Sequence, residues 1–194
     1  MEALETIEQD GWTCDIFPDF EPQSPDEWDN LASFAHTTDY TFGESVGRRY
    51  ADDRRDGAYI RALAIFGKDI AGVLPAQITE HGPQVTIYES DAENANAVLY
   101  TTHKRVTELC GDDPKYHDRE WVENALRGEL AVWRQYLEGD VYGVVVKRPD
   151  GTVDESLWGC YGFDYAKEEA AEMLAAGIAH EARTVEEVSR IVAL

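Results

Sequence analysis

Residues 141–159 read VYGVVVKRPDGTVDESLWG, and the fold class turns on how this stretch folds back on itself. The apolar run Val144 to Lys147 leads into Pro149, Asp150 and Gly151, three residues that reverse a chain by different means. Proline presets φ, aspartate bonds its own backbone, and glycine takes positive φ. A second extended arm follows, so the stretch is a β-hairpin. A hairpin joins antiparallel strands, whereas parallel strands need a long crossover.

A second hairpin is expected in ITEHGPQVTIYES, residues 78–90, with Gly82 and Pro83 at the turn and Val85 and Ile87 alternating. WTCDIFPDF gives a strand from Trp12 to Phe17 that ends at Pro18, and ANAVLYTT, residues 95–102, gives another. AYIRALAIFG, residues 58–67, is apolar enough for a core strand and long enough for a helix. The first ten residues read as a frayed or short helical lead.

Helices alternate with these strands. Ser24 as N-cap, Pro25 at the first helical position, and Asp26 and Glu27 in the first turn predict a short helix in SPDEWDNLASFA, burying Trp28, Leu31 and Ala32. Thr101 or Thr102 caps a helix over HKRVTELCG that stops at Gly111. The longest pattern runs from Asp118 to Gly139, with Trp121, Leu126, Leu130, Trp133 and Leu137 forming an apolar stripe. Gly128 inside it points to a bend or close contact. A helix from Tyr165 to Ala176 ends at Gly177, and a last one is predicted with Thr184 as N-cap and Glu187 completing a capping box.

Hairpins interspersed with helices, without regular βαβ units, define an α+β fold: an antiparallel sheet with helices packed on one face. At 194 residues the length suits a single domain, with 1–11 as a flexible lead and 43–57 as an exposed excursion. Three distant cysteines and no C-x-x-C indicate a reduced, intracellular compartment. The N-terminus lacks the apolar core of a secretory signal, and no apolar run reaches membrane-spanning length.

Charge is the most informative total. Thirty-nine acids against seventeen bases give a formal −22, which disfavours direct contact with a phosphate backbone. Residues 1–47 hold twelve acids and no Lys or Arg. Three readings compete: solubility, adaptation to high salt, and a decoy surface that occupies the nucleic-acid groove of another protein. The acids placed to form such a surface are Asp15, Asp19, Glu21, Asp26, Glu27 and Asp29, with Glu168, Glu169 and Glu172 as a second patch on a helix face shared with Asp164 and interrupted by Lys167.

Catalytic constellations are sparse. No G-x-S-x-G, phosphate-binding loop or dinucleotide fingerprint occurs, and the five histidines are scattered. The cluster Asp112, Asp113, His117, Asp118 and Glu120 lacks EF-hand spacing and reads as a solvated loop. No metal and no cofactor are expected. The aromatic segment DESLWGCYGFDYAKEEA, residues 154–170, has Gly159 and Gly162 free to take positive φ, and reads as a packed turn between strand and helix. Its alternative is a small-molecule pocket using Asn30, Tyr142, Trp158 and Tyr161.

In this order, SPDEWDNL, VLYTTHKR, YLEGDVYG and DESLWGCYGFDYAKEEA resemble a widespread group of small acidic, mostly uncharacterised accessory proteins of phages and plasmids. The resemblance spans Asp15 to Ala171. It implies a mobile-element protein that counters host defence or redirects host proteins. With the acid excess, the expected function is non-enzymatic: binding and inhibiting a host nucleic-acid-binding protein in the host cytoplasm, such as a restriction, CRISPR or transcription component.

Overall fold

The computed structural model describes residues 2–38, 40–45 and 67–192. Its strands are β1 (Glu5–Gln9), β2 (Trp12–Pro18), β3 (Ser33–His36), β4 (Glu44–Ser45), β5 (Ile70–His81), β6 (Gln84–Glu89), β7 (Ala97–Thr102), β8 (Val141–Lys147) and β9 (Val153–Tyr161). Three α-helices accompany them: α1 (His103–Cys110), α2 (Arg119–Glu138) and α3 (Phe163–Val192). The fold is α+β. Where length alone suggests one domain, the chain divides into two compact units, 1–23 with 139–194 and 24–138. The first is assembled from both ends of the sequence, a division that length does not reveal.

In the first unit the sheet runs β1-β2-β8-β9, antiparallel throughout. The N-terminal residues expected as a loose lead form its edge strand. Asp10 and Gly11, at φ +52 and +81, make the two-residue turn that sets Gln9 opposite Trp12. One face carries Trp12, Cys14, Ile16, Val144, Val146 and Cys160, and Ala166, Ala170 and Leu174 of α3 close over it. Alanines at that spacing let the helix approach the strands closely.

The two C-terminal helices expected from the sequence are one helix, Phe163–Val192. Gly177 does not stop it, because its missing side chain makes room for Trp12. Thr184 is interior, and its hydroxyl donates to the His180 carbonyl at 3.0 Å rather than capping an N-terminus.

In the second unit the sheet runs β4-β3-β7-β5-β6, antiparallel except for the parallel pair of β3 and β4. Val122, Leu126, Leu130 and Trp133 of α2 pack on Leu74, Ala76, Ile78, Ile87 and Leu99. Thr102 caps α1 by accepting from the Arg105 amide at 3.1 Å. Open space surrounds Gly128, so no close contact accounts for it. The helix expected from Ser24 to Ala35 is a 3-10 turn, Pro25–Glu27, with Ser24 as its N-cap. Pairing of Ser33 with Tyr100 and Phe34 with Leu99 draws the following residues into β3, and tertiary pairing overrides the capping signal. Of the expected excursion 43–57, Glu44–Ser45 form β4 beside β3 and 46–57 lie outside the described residues, as does the apolar run 58–67 up to residue 66.

Candidate functional site

Acidity is unevenly divided between the units. The first holds eighteen acidic and five basic residues, a formal −13, and the second twenty-one and twelve, a formal −9. Four of the five bases in the first unit are held in ion pairs: Lys147 with Asp15, Arg148 with Asp154, Lys167 with Glu5 and Arg190 with Glu186. The fifth, Arg183, donates to the Ala179 carbonyl. Fourteen of the eighteen carboxylates there therefore have no ion-pair partner among the described residues.

The sequence-selected acids fare differently. Asp15 is not a surface group: it is 9% exposed, accepting from Thr6 Oγ1 and from Lys147 Nζ, each at 2.6 Å. Burial raises its pKa, but the Lys147 and Thr6 hydrogen bonds outweigh this and hold it below the usual value. Asp19 is fixed by the amides of Glu21 at 3.1 Å and Gly159 at 3.2 Å, and Glu21 is exposed. On α3, Asp164, Glu168 and Glu172 form an exposed ridge at four-residue spacing, with about 6 Å of rise between successive acids. Glu169 is half-buried, accepting from the Tyr165 hydroxyl and pushing it up to about 12.

The aromatic segment is mostly strand. Trp158 lies over Gly143, where a Cβ would meet its ring at 2.2 Å, so only glycine fits beneath it. It remains 48% exposed, and Phe20, next to Asp19, is 72% exposed. Tyr161 donates to the Gln23 carbonyl. Tyr142 packs edge-on to Phe163 at 5.0 Å, and burial together with Asp140 pushes its hydroxyl up to about 12. Burial also raises the Cys160 thiol to about 11, far from a nucleophile at neutral pH.

Asn30, the fourth residue of the pocket reading, belongs to the second unit. With Asp26, Trp28, Glu44, Arg105 and Trp133 it lines an open cleft of about 490 Å³. An adjoining cleft of about 330 Å³ shares Trp28, Asn30 and Trp133 and adds Gly128 and Glu129. Glu129 accepts from the amides of Leu31 at 2.6 Å and Ala32 at 2.8 Å, anchoring the cleft wall to α2. Its pKa is raised by burial, against the lowering by those amides and by Arg105. Arg105 turns Nε and Nη2 on the Asn30 carbonyl at 3.0 and 2.8 Å and lies 3.7 Å from Asp29. Glu27 is exposed on the same 3-10 turn. Sequence reading missed Glu44, Arg105 and Glu129, which no local pattern joins to Trp28.

Two buried hydroxyls, Thr79 Oγ1 and Thr101 Oγ1, have no hydrogen-bond partner among the described residues. His36 is fully buried, with Nε2 donating to the Phe42 carbonyl at 2.5 Å and Nδ1 beside Thr38 Oγ1 at 2.7 Å. Asp113 and Asp118 accept from the backbone at the starts of the following helical turns. No group of three or more His, Cys, Asp or Glu is placed to hold a metal among the described residues. No helix among them is long and apolar enough to cross a membrane.

Fold and surface together define an α+β protein of two sheet-and-helix units, both acidic, with the larger acid excess in the first. No protein-family model, curated protein or solved structure matches the chain.

Proposed function

We propose that this is a non-enzymatic binding protein whose first unit presents carboxylates to the nucleic-acid-binding site of a basic host protein, as an anti-defence accessory of a phage or plasmid. The observation that carries the reading is the fourteen carboxylates without a base partner, set against five bases of which four are already in ion pairs. Such a surface accelerates encounter with a cationic groove and makes association salt-sensitive. The ridge Asp164, Glu168 and Glu172 supplies regularly spaced charge. Phe20 and Trp158, sequence neighbours of the hydrogen-bonded pair Asp19 and Gly159, supply exposed aromatic area of the kind that dominates interface energetics.

The test is capture of host proteins on the immobilised full chain at low salt, followed by elution with duplex DNA. A nucleic-acid-binding protein released by DNA, and captured at least tenfold less by the Asp164→Asn, Glu168→Gln, Glu172→Gln variant, supports the reading. Capture of proteins that DNA does not release, or no loss in the variant, overturns it.

A further inference from the structure

We propose that the open cleft of the second unit is a binding site for an organic cation, a guanidinium or alkylammonium group. The inference does not depend on the decoy reading, which concerns the other unit. Three features converge on it.

The first is shape. The cleft of about 490 Å³ is large enough for a compact cationic head with its stem. Its floor is aromatic and fixed: Phe34 and Trp133 are buried, with ring centroids 4.8 Å apart. Gly43, at φ +66, lies so near Phe34 that a Cβ would come within 2.9 Å of its ring. That close approach draws the chain against the floor.

The second is the indole of Trp28 on the wall. Trp28 is half-buried and caps the 3-10 turn, with its amide on the Pro25 carbonyl at 3.2 Å. An indole face attracts cations through its quadrupole, with tryptophan the strongest of the aromatic side chains.

The third is charge. Two carboxylates line the same cleft, Asp26 and Glu44. The Gly43 amide holds Asp26 Oδ2 at 2.9 Å, which fixes the carboxylate in place, and Oδ1 has no partner among the described residues. Glu44 is exposed and has no ion-pair partner among them. Among the described residues the one cation lining the cleft is Arg105, which already directs two of its N–H groups at the Asn30 carbonyl and faces Asp29. The described lining therefore favours a cation over an anion, and the Trp28 indole favours an organic cation over a hydrated metal ion.

Choline and its neutral isostere 3,3-dimethylbutan-1-ol separate charge from shape, and N-acetylarginine amide tests whether an arginine side chain fits equally. Binding to the full chain is read by tryptophan fluorescence and by indole N–H shifts in NMR. The expected result is saturable millimolar or tighter binding of at least one of the two cations, with the neutral isostere at least fivefold weaker. Glu44→Gln and Asp26→Asn, singly, should each weaken the cation threefold or more without shifting the isostere. Glu44 is exposed, so the first variant keeps the fold. Isostere binding equal to that of choline, preferential binding of N-acetylglutamate, or no cation response up to 50 mM by either readout overturns the proposal. Choline binding without the arginine probe assigns the cleft to free small cations; the reverse assigns it to a cationic side chain.

Discussion

Gly177 sits against Trp12 so closely that a Cβ built on it would lie 2.9 Å from the indole Cζ3 and 3.3 Å from Asp154 Oδ2. Trp12 is almost wholly buried and is further held by donation from Nε1 to Glu181 Oε2 at 3.1 Å. A glycine inside a helix costs about 1 kcal/mol relative to alanine. Here that cost secures the contact between α3 and β2.

The contrast with Gly128 gives a matched pair of substitutions. Nothing lies within 4 Å of a Cβ at Gly128, so Gly128→Ala should raise stability by up to about 1 kcal/mol through helix propensity. Gly177→Ala gains the same propensity but must displace a buried indole, and should lower stability by about 1–3 kcal/mol. Urea midpoints of the two variants should move in opposite directions. A shared upward shift would show that Trp12 does not pack on Gly177 in solution.

Asp15 of β2 and Lys147 of β8 are diagonal neighbours across the ladder, opposite Val145 and Thr13 respectively, and are bonded at 2.6 Å. Asp15→Asn should cost roughly 1–3 kcal/mol at neutral pH, because it removes a charge-assisted bond and leaves a half-buried ammonium. The folded carboxyl titrates below its ordinary value, so its contribution is present above the unfolded pKa and disappears as pH falls through the folded one. Urea titrations from pH 7 down to pH 2.5 should show wild type and variant converging only in the acid range, below the ordinary aspartate value. A difference that persists unchanged to pH 2.5 would assign the cost to packing instead.

Thr184 separates one helix from two. As the N-cap of a separate C-terminal helix it would be worth about 1 kcal/mol, and Thr184→Ala would lose helicity. In the interior of α3, bonded back to His180, the same change replaces a weaker helix former by the strongest. Circular dichroism at 222 nm should be unchanged or slightly stronger in the variant. A clear loss of signal would split α3.

Much of this architecture was written locally. Gly82, Pro83 and Gly151 marked both long hairpins, Thr102 and Gly111 bounded α1, and the stripe through Leu126, Leu130 and Trp133 placed α2 within a residue or two of its ends. What failed depended on partners distant in sequence. Ser24, Pro25 and Asp26 form a sound helix start, but Phe34 pairs with Leu99, and no local signal encodes that pairing. Gly177 looked like a stop because Trp12, which fills the space beside it, is 165 positions away. Residues 1–11 read as a lead although Asp10-Gly11 has the form of a hairpin turn, because the flanking acids hide the short strand Glu5–Gln9, whose apolar content is a single Ile7. The surface acids followed the same logic. Glu168 and Glu172 were correctly placed outside because α3 is amphipathic, whereas Asp15 alternates onto a sheet face where Lys147 meets it. The pocket reading joins Asn30 to Tyr142, Trp158 and Tyr161, but Asn30 belongs to the other unit and lines the cleft around Trp28, to which the Pro25–Glu27 turn, β3, β4, α1 and α2 also contribute.

The three cysteines offer a direct check on the first unit's core. Cys14 and Cys160 are buried on the sheet face covered by α3, and Cys110 is half-buried at the end of α1. Burial pushes both buried thiols up to about 11, with the Asp15 charge adding to the effect at Cys14. Since the thiolate is the reactive form, a pKa near 11 leaves about one thiolate in a thousand at pH 8, before access is considered. Ellman's reagent on the native protein at pH 8 should therefore titrate one thiol within minutes, removed by Cys110→Ser, and all three after unfolding in guanidinium. Rapid reaction of two or three thiols in the native state would mean that α3 opens from the sheet on that timescale. Cys14→Ser should then leave the native count at one and lower stability, because it places a hydroxyl in the apolar layer that Cys14 shares with Leu174 and the alanines of α3.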